Sequence, residues 1–174
     1  MINPNPPTAY AGDFLQVSRA EILDDYGCRL GLEFVGPRTM RTSQRHQFIY
    51  TLAGMLELGQ AIGTGNVGLL LDAYHLYTSR GALDEVQKLA NREVVTVHVN
   101  DAPAGIDVDQ QIDNRRQLPV TSNVIDLKAF VNALVQIGYD GPVECEPFDQ
   151  KLRQMEDDAA VQKTTAALKR LWNL

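Results

Sequence analysis

The chain has 174 residues, 44% of them hydrophobic, with a formal net charge of −6. This is long enough for one domain with a real core, of ordinary globular composition. An acidic balance without a Lys/Arg stripe excludes a nucleic-acid backbone as the main partner, and no apolar run reaches the roughly 18–20 residues of a membrane span.

The opening Met-Ile-Asn-Pro-Asn-Pro-Pro has neither the basic start nor the apolar core of a signal peptide, so the expected compartment is the cytoplasm. Pro4, Pro6 and Pro7 preclude a helix, and residues 1–13 read as an irregular arm. Apolar positions over residues 15–26 predict a short amphipathic helix ended by Gly27. Arg29-Leu-Gly-Leu-Glu-Phe-Val35 reads as a strand stopped by Gly36-Pro37. A helical pattern then runs over residues 44–62, through Phe48, Ile49, Leu52, Met55, Leu56 and Ile62.

The second strand, residues 67–71, is a continuous apolar run, as a strand buried on both faces should be. It ends on Asp72, with His75 three residues later. Residues 83–90 predict a short helix, and Val94-Val-Thr-Val-His-Val99 a β-branched third strand. The polar stretch over residues 100–123 has the length of a binding loop or lid. A helix over residues 125–137, a tight turn at Gly138-Tyr-Asp-Gly-Pro142, a fourth strand over residues 142–146 and a last helix over residues 151–171 follow, with Trp172 expected to dock. Regular β-α alternation of this kind means parallel strands. Cys28 and Cys145 form no CxxC pair and read as buried thiols. Arg38, Arg41 and Arg45, and the pair Arg115-Arg116, read first as solvated surface charge, with an anionic small molecule as the alternative partner.

Four apolar runs end in a potential ligand: Glu33, Asp72, His98 and Glu146. Each has a bland reading. Glu33 would make a structural ion pair, Asp72 would cap a following helix, and His98 would be a satisfied core histidine. Strand alternation puts Glu144 and Glu146 on one face; Glu146 is preferred because it lies at the strand end, like the others. Together the four make an oxygen-rich set with one nitrogen. It suits one divalent metal, Mn²⁺ or Mg²⁺ first, with Co²⁺ or Zn²⁺ as alternatives. At a barrel radius of roughly 7 Å the outer two strands lie about 13 Å apart, so the set converges only on a curved sheet.

Leu32-Glu33, Leu70-Leu-Asp-Ala-Tyr-His75, Val97-His-Val-Asn-Asp101 and Tyr139-Asp-Gly-Pro-Val-Glu-Cys-Glu-Pro-Phe148 resemble, in that order, the metal-site strands of the xylose isomerase-like TIM barrels. The resemblance covers about residues 15–171. It implies an α/β fold of parallel (β/α) units forming the C-terminal half of a (β/α)₈ barrel, as one partial domain over residues 1–174. It also implies a sugar or sugar phosphate isomerase or epimerase, with an inosose dehydratase-like lyase and, last, an apurinic endonuclease as alternatives. The metal would be held by Glu33, Asp72, His98 and Glu146. Glu33 and Glu146 would pass a proton on and off carbon through an enediolate, and His75, Asn100, Asp101 and Arg116 would contact a small sugar or polyol substrate.

Two departures stand out. Ketose 3-epimerases of this group carry an arginine six residues after the metal histidine, where this chain has Ala104. Many members have Leu-Pro-Gly where this chain reads Leu118-Pro-Val-Thr-Ser-Asn123. Four strands are half of the family barrel. The expectation is a truncated product of a longer gene, against a pairing of two half-barrels or a non-catalytic remnant.

Overall fold

The structure is a computed structural model that describes residues 13–42, 45–146 and 148–173. The expected arm over residues 1–13 lies outside these except for Asp13, which opens α1 (Asp13–Asp25). Four strands follow, β1 (Leu30–Leu32), β2 (Val67–Asp72), β3 (Val94–His98) and β4 (Val143–Glu144). They form one parallel sheet in the order β1-β2-β3-β4. Between them lie α2 (Arg38–Arg41), α3 (Leu52–Ile62), α4 (Ala73–Thr78), α5 (Leu83–Gln87) and α6 (Leu127–Gln136), and α7 (Asp157–Leu171) comes last. The expected α/β architecture of parallel units is what the chain adopts. No described helix is long and apolar enough to cross a membrane.

The core forms where helix stripes meet the sheet. α6 buries Leu127, Phe130, Ala133 and Leu134, one face at helical spacing, with Asp126 capping its first turn through Ala129 N at 2.9 Å. α3 buries Leu52, Met55, Leu58 and Ile62 in the same way. From the sheet come Leu69, Leu71 and Val97, and Phe34 and Val99 just beyond strand ends, all nearly or fully inaccessible. A smaller cluster of Leu118, Leu152 and Ala167, with Cys145 against it, ties the loops after β3 and β4 to α7.

Several expectations are corrected. The helix over residues 44–62 begins only at Leu52. Thr51 is extended and its side chain accepts from Gly54 N, so the helix is capped there, while Val35 N donates to Ile49 O and holds the preceding segment against β1. Phe48 is consequently exposed. The strand over residues 29–35 narrows to Leu30–Leu32 and that over residues 142–146 to Val143–Glu144. The last helix is interrupted: Asp149 caps a 3₁₀ turn, Leu152–Gln154, Met155 is extended, and α7 starts at Asp157. Trp172 is exposed rather than docked, and Ala167 and Leu171 anchor α7 instead. Cys28 is exposed, not buried.

The long loop after β3 is organised by one side chain. Asp101 is fully buried, and its two carboxylate oxygens accept from six backbone N–H groups: Ala102, Val124 and Ile125 on one oxygen, Thr121, Ser122 and Asn123 on the other. The same loop holds Val120 and Asn123 in the left-handed region, at φ 57° and 55°. A β-branched residue there is strained.

Two stability predictions follow. Asp101→Ala leaves buried donors unmade and lowers unfolding free energy by about 3–5 kcal/mol, read from the urea midpoint. Val120→Gly relieves about 1–2 kcal/mol of strain but gives that back in added unfolded-chain entropy and in lost packing of the half-buried side chain against the core, so stability shifts by less than about 1 kcal/mol. An unchanged midpoint in Asp101→Ala would show that the loop is held by other contacts.

Candidate metal centre

Local sequence delivers the four ligand candidates to one end of the sheet. Glu33 is the first residue past β1, Asp72 and His98 close β2 and β3, and Glu146 lies two residues past β4. The parallel register pairs Asp72 with His98, and His98 with Glu144. One ligand atom from each of Glu33, Asp72, His98 and Glu146 lies within 4.8 Å of all the others. Glu144 is exposed and accepts from Thr96 Oγ1 at 3.3 Å, while Glu146 is the one of the two that lies in the converging group.

Asp72 is both ligand candidate and helix cap. It is fully buried. Its Oδ1 accepts from Tyr74 N at 2.6 Å and His75 N at 3.1 Å, which starts α4. That leaves Oδ2 facing inward, 3.8 Å from His98 Nδ1. Glu146 Oε2 is also 3.8 Å from His98 Nδ1. Glu33 Oε1 and His98 Nδ1 are buried with no hydrogen-bond partner. Two orphaned donor atoms within a converging set are what metal coordination would satisfy, so the residues fit a divalent metal.

Arg116 enters the same space. Its side chain is 1% exposed. Nη1 donates to Asp72 Oδ2 at 2.7 Å and to Glu146 Oε2 at 2.9 Å, and Nη2 donates to Asp113 Oδ1 at 2.6 Å. Tyr74 and Phe148 flank the guanidinium, with ring centroids 4.7 and 5.2 Å away. Burial opposes its charge, but Asp72, Asp113 and Glu146 outweigh that and hold it firmly protonated.

Burial, then the charges of Asp72 and Glu146, push the Glu33 carboxyl up to about 8. Burial also raises Glu146, against the lowering effect of Arg116. The carboxyl groups of Asp72, Asp113 and Glu146 thus surround one guanidinium. A cluster richer in carboxyl groups than in cations would draw a divalent cation.

The expected substrate contacts sort unevenly. His75 is 3% exposed, and burial lowers its pKa. Its Nδ1 accepts from Gly36 N at 3.1 Å; a backbone N–H can only donate, so in the neutral ring the proton sits on Nε2. Nε2 lies 3.6 Å from Glu33 Oε1 and faces Arg116 Nη2 at 3.0 Å, the latter a close contact and not a hydrogen bond for this tautomer. Gly36 is needed for the approach, because a Cβ there would stand 2.1 Å from His75 O. Asn100 is fully buried beside Cys145, whose Sγ is 3.5 Å from Asn100 Oδ1, and its Nδ2 has no partner. Burial raises the Cys145 thiol to about 12, so it is no nucleophile. Asp101 is committed to the backbone of its own loop, as described above, which leaves its carboxylate no free oxygen for a substrate. Arg116 does reach the centre, but as a buried counter-charge to the carboxylates. Sequence reasoning passed over Asp113, which holds Arg116 from the other side; the Asp-x-x-Arg spacing over residues 113–116 was the available signal.

Comparison with known proteins agrees with this geometry. A family model described as xylose isomerase-like TIM barrel matches residues 15–171. Among curated relatives, an inosose isomerase of Bacillus subtilis (strain 168) is 26% identical over 152 residues, covering 84% of this chain and 50% of its own length. A xylose isomerase domain protein from Alicyclobacillus acidocaldarius superposes with TM-score 0.77 at 32% identity, over 90% of this chain and 55% of that one. An IOLI protein with a bound zinc atom superposes with TM-score 0.80 at 20% identity, over 98% of this chain and 60% of that one. The chain spans about half the length of the curated relatives it matches first. It belongs to the xylose isomerase-like TIM barrel family.

Proposed function

We propose that this chain carries the metal half of a divalent-metal-dependent sugar isomerase or epimerase. The observation that supports this most is the convergence of Glu33, Asp72, His98 and Glu146, with two of their buried atoms unpartnered. A divalent metal held by these four would polarise neighbouring carbonyl and hydroxyl oxygens of a sugar or polyol.

The chain's own groups would do the rest. Glu33 and Glu146 stand on opposite edges of the group, on the loops after β1 and β4. One would take a proton from the carbon next to the substrate carbonyl and the other return one, through an enediolate. His75 would present Nε2–H toward a substrate oxygen, its ring set by Gly36 N. Arg116 would hold Asp72 and Glu146 in place from behind. The inosose isomerase relatives favour a polyol ketone as one substrate class to be tried beside open-chain ketoses. The three oxygen ligands favour Mn²⁺ or Mg²⁺, with Co²⁺ and Zn²⁺ also able to fit.

Among the described residues β1 and β4 each pair on one side only. The active form would therefore close the sheet with further β-α units, from the same polypeptide or from a second copy.

Calorimetry is expected to show one Mn²⁺ per chain, with Asp72→Asn weakening binding at least a hundredfold. In the closed, active form, Glu33→Gln and Glu146→Gln each slow exchange of the substrate carbon-bound proton with deuterated water by about 10²–10⁴-fold while Mn²⁺ is retained. Failure of the native chain to bind Mn²⁺, Mg²⁺, Co²⁺ or Zn²⁺ would sink the reading.

A further inference from the structure

Among the described residues the sheet ends on each side in a strand paired on one side only, β1 at one edge and β4 at the other. We propose that a second copy of this chain closes it: two copies related by a two-fold axis join the β1 and α1 edge of each to the β4 and α7 edge of the other. This names the source of the closing units left open above, and it rests on the fold of that reading, not on its chemistry.

The backbone of both edges is set for pairing. Leu30 N donates to Asn66 O at 3.0 Å, so Leu30 faces β2, and alternation along a parallel ladder turns the N–H and C=O of Gly31 to the free side. On β4, Pro142 O accepts from Val97 N at 3.1 Å and Glu144 O from Val99 N at 2.8 Å, which turns the N–H and C=O of Val143 to the free side. A two-fold axis parallel to the strands lays β4 beside the other copy's β1 in parallel orientation, and does so twice.

The curvature already present fits that count. Ligand atoms carried past β1 and β4 lie within 4.8 Å of each other, so the four strands form an arc and not a plane. Four strands with four more make eight, the number at which side chains just fill the interior of a closed barrel. Leu70 and Thr96 stand next to Asp72 and His98 on the face such a barrel encloses, and the single chain leaves both only half-buried.

The helices at the two edges carry matching apolar flanks. α1 packs on β1 and α3 and buries Ala20. Ile22 and Tyr26, four residues apart, share another flank; both are exposed, Tyr26 at 79%. On α7 Ala167 and Leu171 are buried, while Val161, Leu168 and Trp172 follow the adjoining flank at helical spacing. Val161 is exposed and Trp172 is 57% exposed. With right-handed crossovers, the α1 flank turns past β1 and the α7 flank past β4. In the closed pair α1 and α7 of different copies become neighbours, with Tyr26 against Trp172 and Ile22 against Leu168. Aromatic side chains that bury roughly 150–250 Å² each, twice over by symmetry, supply a large share of the about 800 Å² per partner of a stable interface. Any other partner would need a complement to each edge, whereas a second copy has both, because each edge complements the other.

Sedimentation velocity of the metal-free chain, from nanomolar to high micromolar, is expected to show a reversible monomer–dimer equilibrium and nothing larger. Dilution should red-shift the emission of Trp172, the chain's one tryptophan. Tyr26→Asp and Trp172→Asp should each weaken the dimer at least tenfold and keep the native circular dichroism, since both positions are exposed in the single chain. In a Cys28→Ser background, Tyr26→Cys chains mixed with Trp172→Cys chains should cross-link through a short bismaleimide, and neither variant should cross-link to itself. Cys145 does not compete, because burial raises its thiol to about 12. A monomer at every concentration, the result if another polypeptide supplies the closing units, overturns the proposal. So does a dimer that both aspartates leave intact, or cross-linking of either variant to itself. No step needs metal, so a monomer that binds Mn²⁺ overturns the dimer alone, and a dimer that binds no metal overturns the isomerase reading alone.

Discussion

The site depends on how one buried carboxylate divides its two oxygens. Asp72 Oδ1 is consumed by the first turn of α4, which fixes the side-chain torsions and leaves Oδ2 aimed across the sheet end. Because α4 begins at once, His75 returns over the loop after β1 and meets Gly36 and Glu33. Because β2 and β3 are in parallel register, the same Asp72 lies beside His98. The helix cap at Asp72 is therefore also what aims its second oxygen at the candidate metal group. The backbone of α4 does the orienting that a metal ligand otherwise needs from a neighbouring side chain.

Electrostatics then decide what the centre can hold. Asp72, Asp113 and Glu146 surround a single guanidinium with little access to water. Among the described residues Arg116 is the arginine paired with Asp72, Asp113 and Glu146, and its charge works against the burial that raises the Glu146 carboxyl. Glu33 makes no ion pair with it, and burial with the charges of Asp72 and Glu146 raises the Glu33 carboxyl to about 8. The two glutamates proposed as proton carriers thus differ in environment. One is steadied by Arg116 and the other is left to burial and like charge, a separation suited to acid and base roles.

Much of this was legible in the chain itself. Strand runs ending in Glu33, Asp72, His98 and Glu146 follow from composition and period, and parallel order follows from β-α alternation. Helix limits were less legible. Thr51 overrode the apolar spacing of Phe48 and Ile49 by capping α3, and the extended Met155 split the last helix. Loop roles were least legible, since a buried Asp serving six backbone N–H groups looks in sequence like any polar loop residue. Asp101 therefore read as a pocket residue, and Asp113, one turn before Arg116, was passed over. Side-chain direction in a loop has no period to betray it.

Curvature is the remaining constraint, and distances show that this chain supplies it. Neighbouring strands lie about 4.8 Å apart, so β1 and β4 are separated by roughly 14 Å along a sheet. Side chains standing on a flat sheet would keep that spacing. Yet ligand atoms from the loops after β1 and β4 fall within 4.8 Å of each other. The ends of the sheet must therefore lean toward a common axis, and the two outer strands, three and two residues long, do so with little exposed ladder. All four members of the metal group come from this one curved wall. Further strands on its edges would contribute closure and exclusion of water, while the four converging groups would remain those described here.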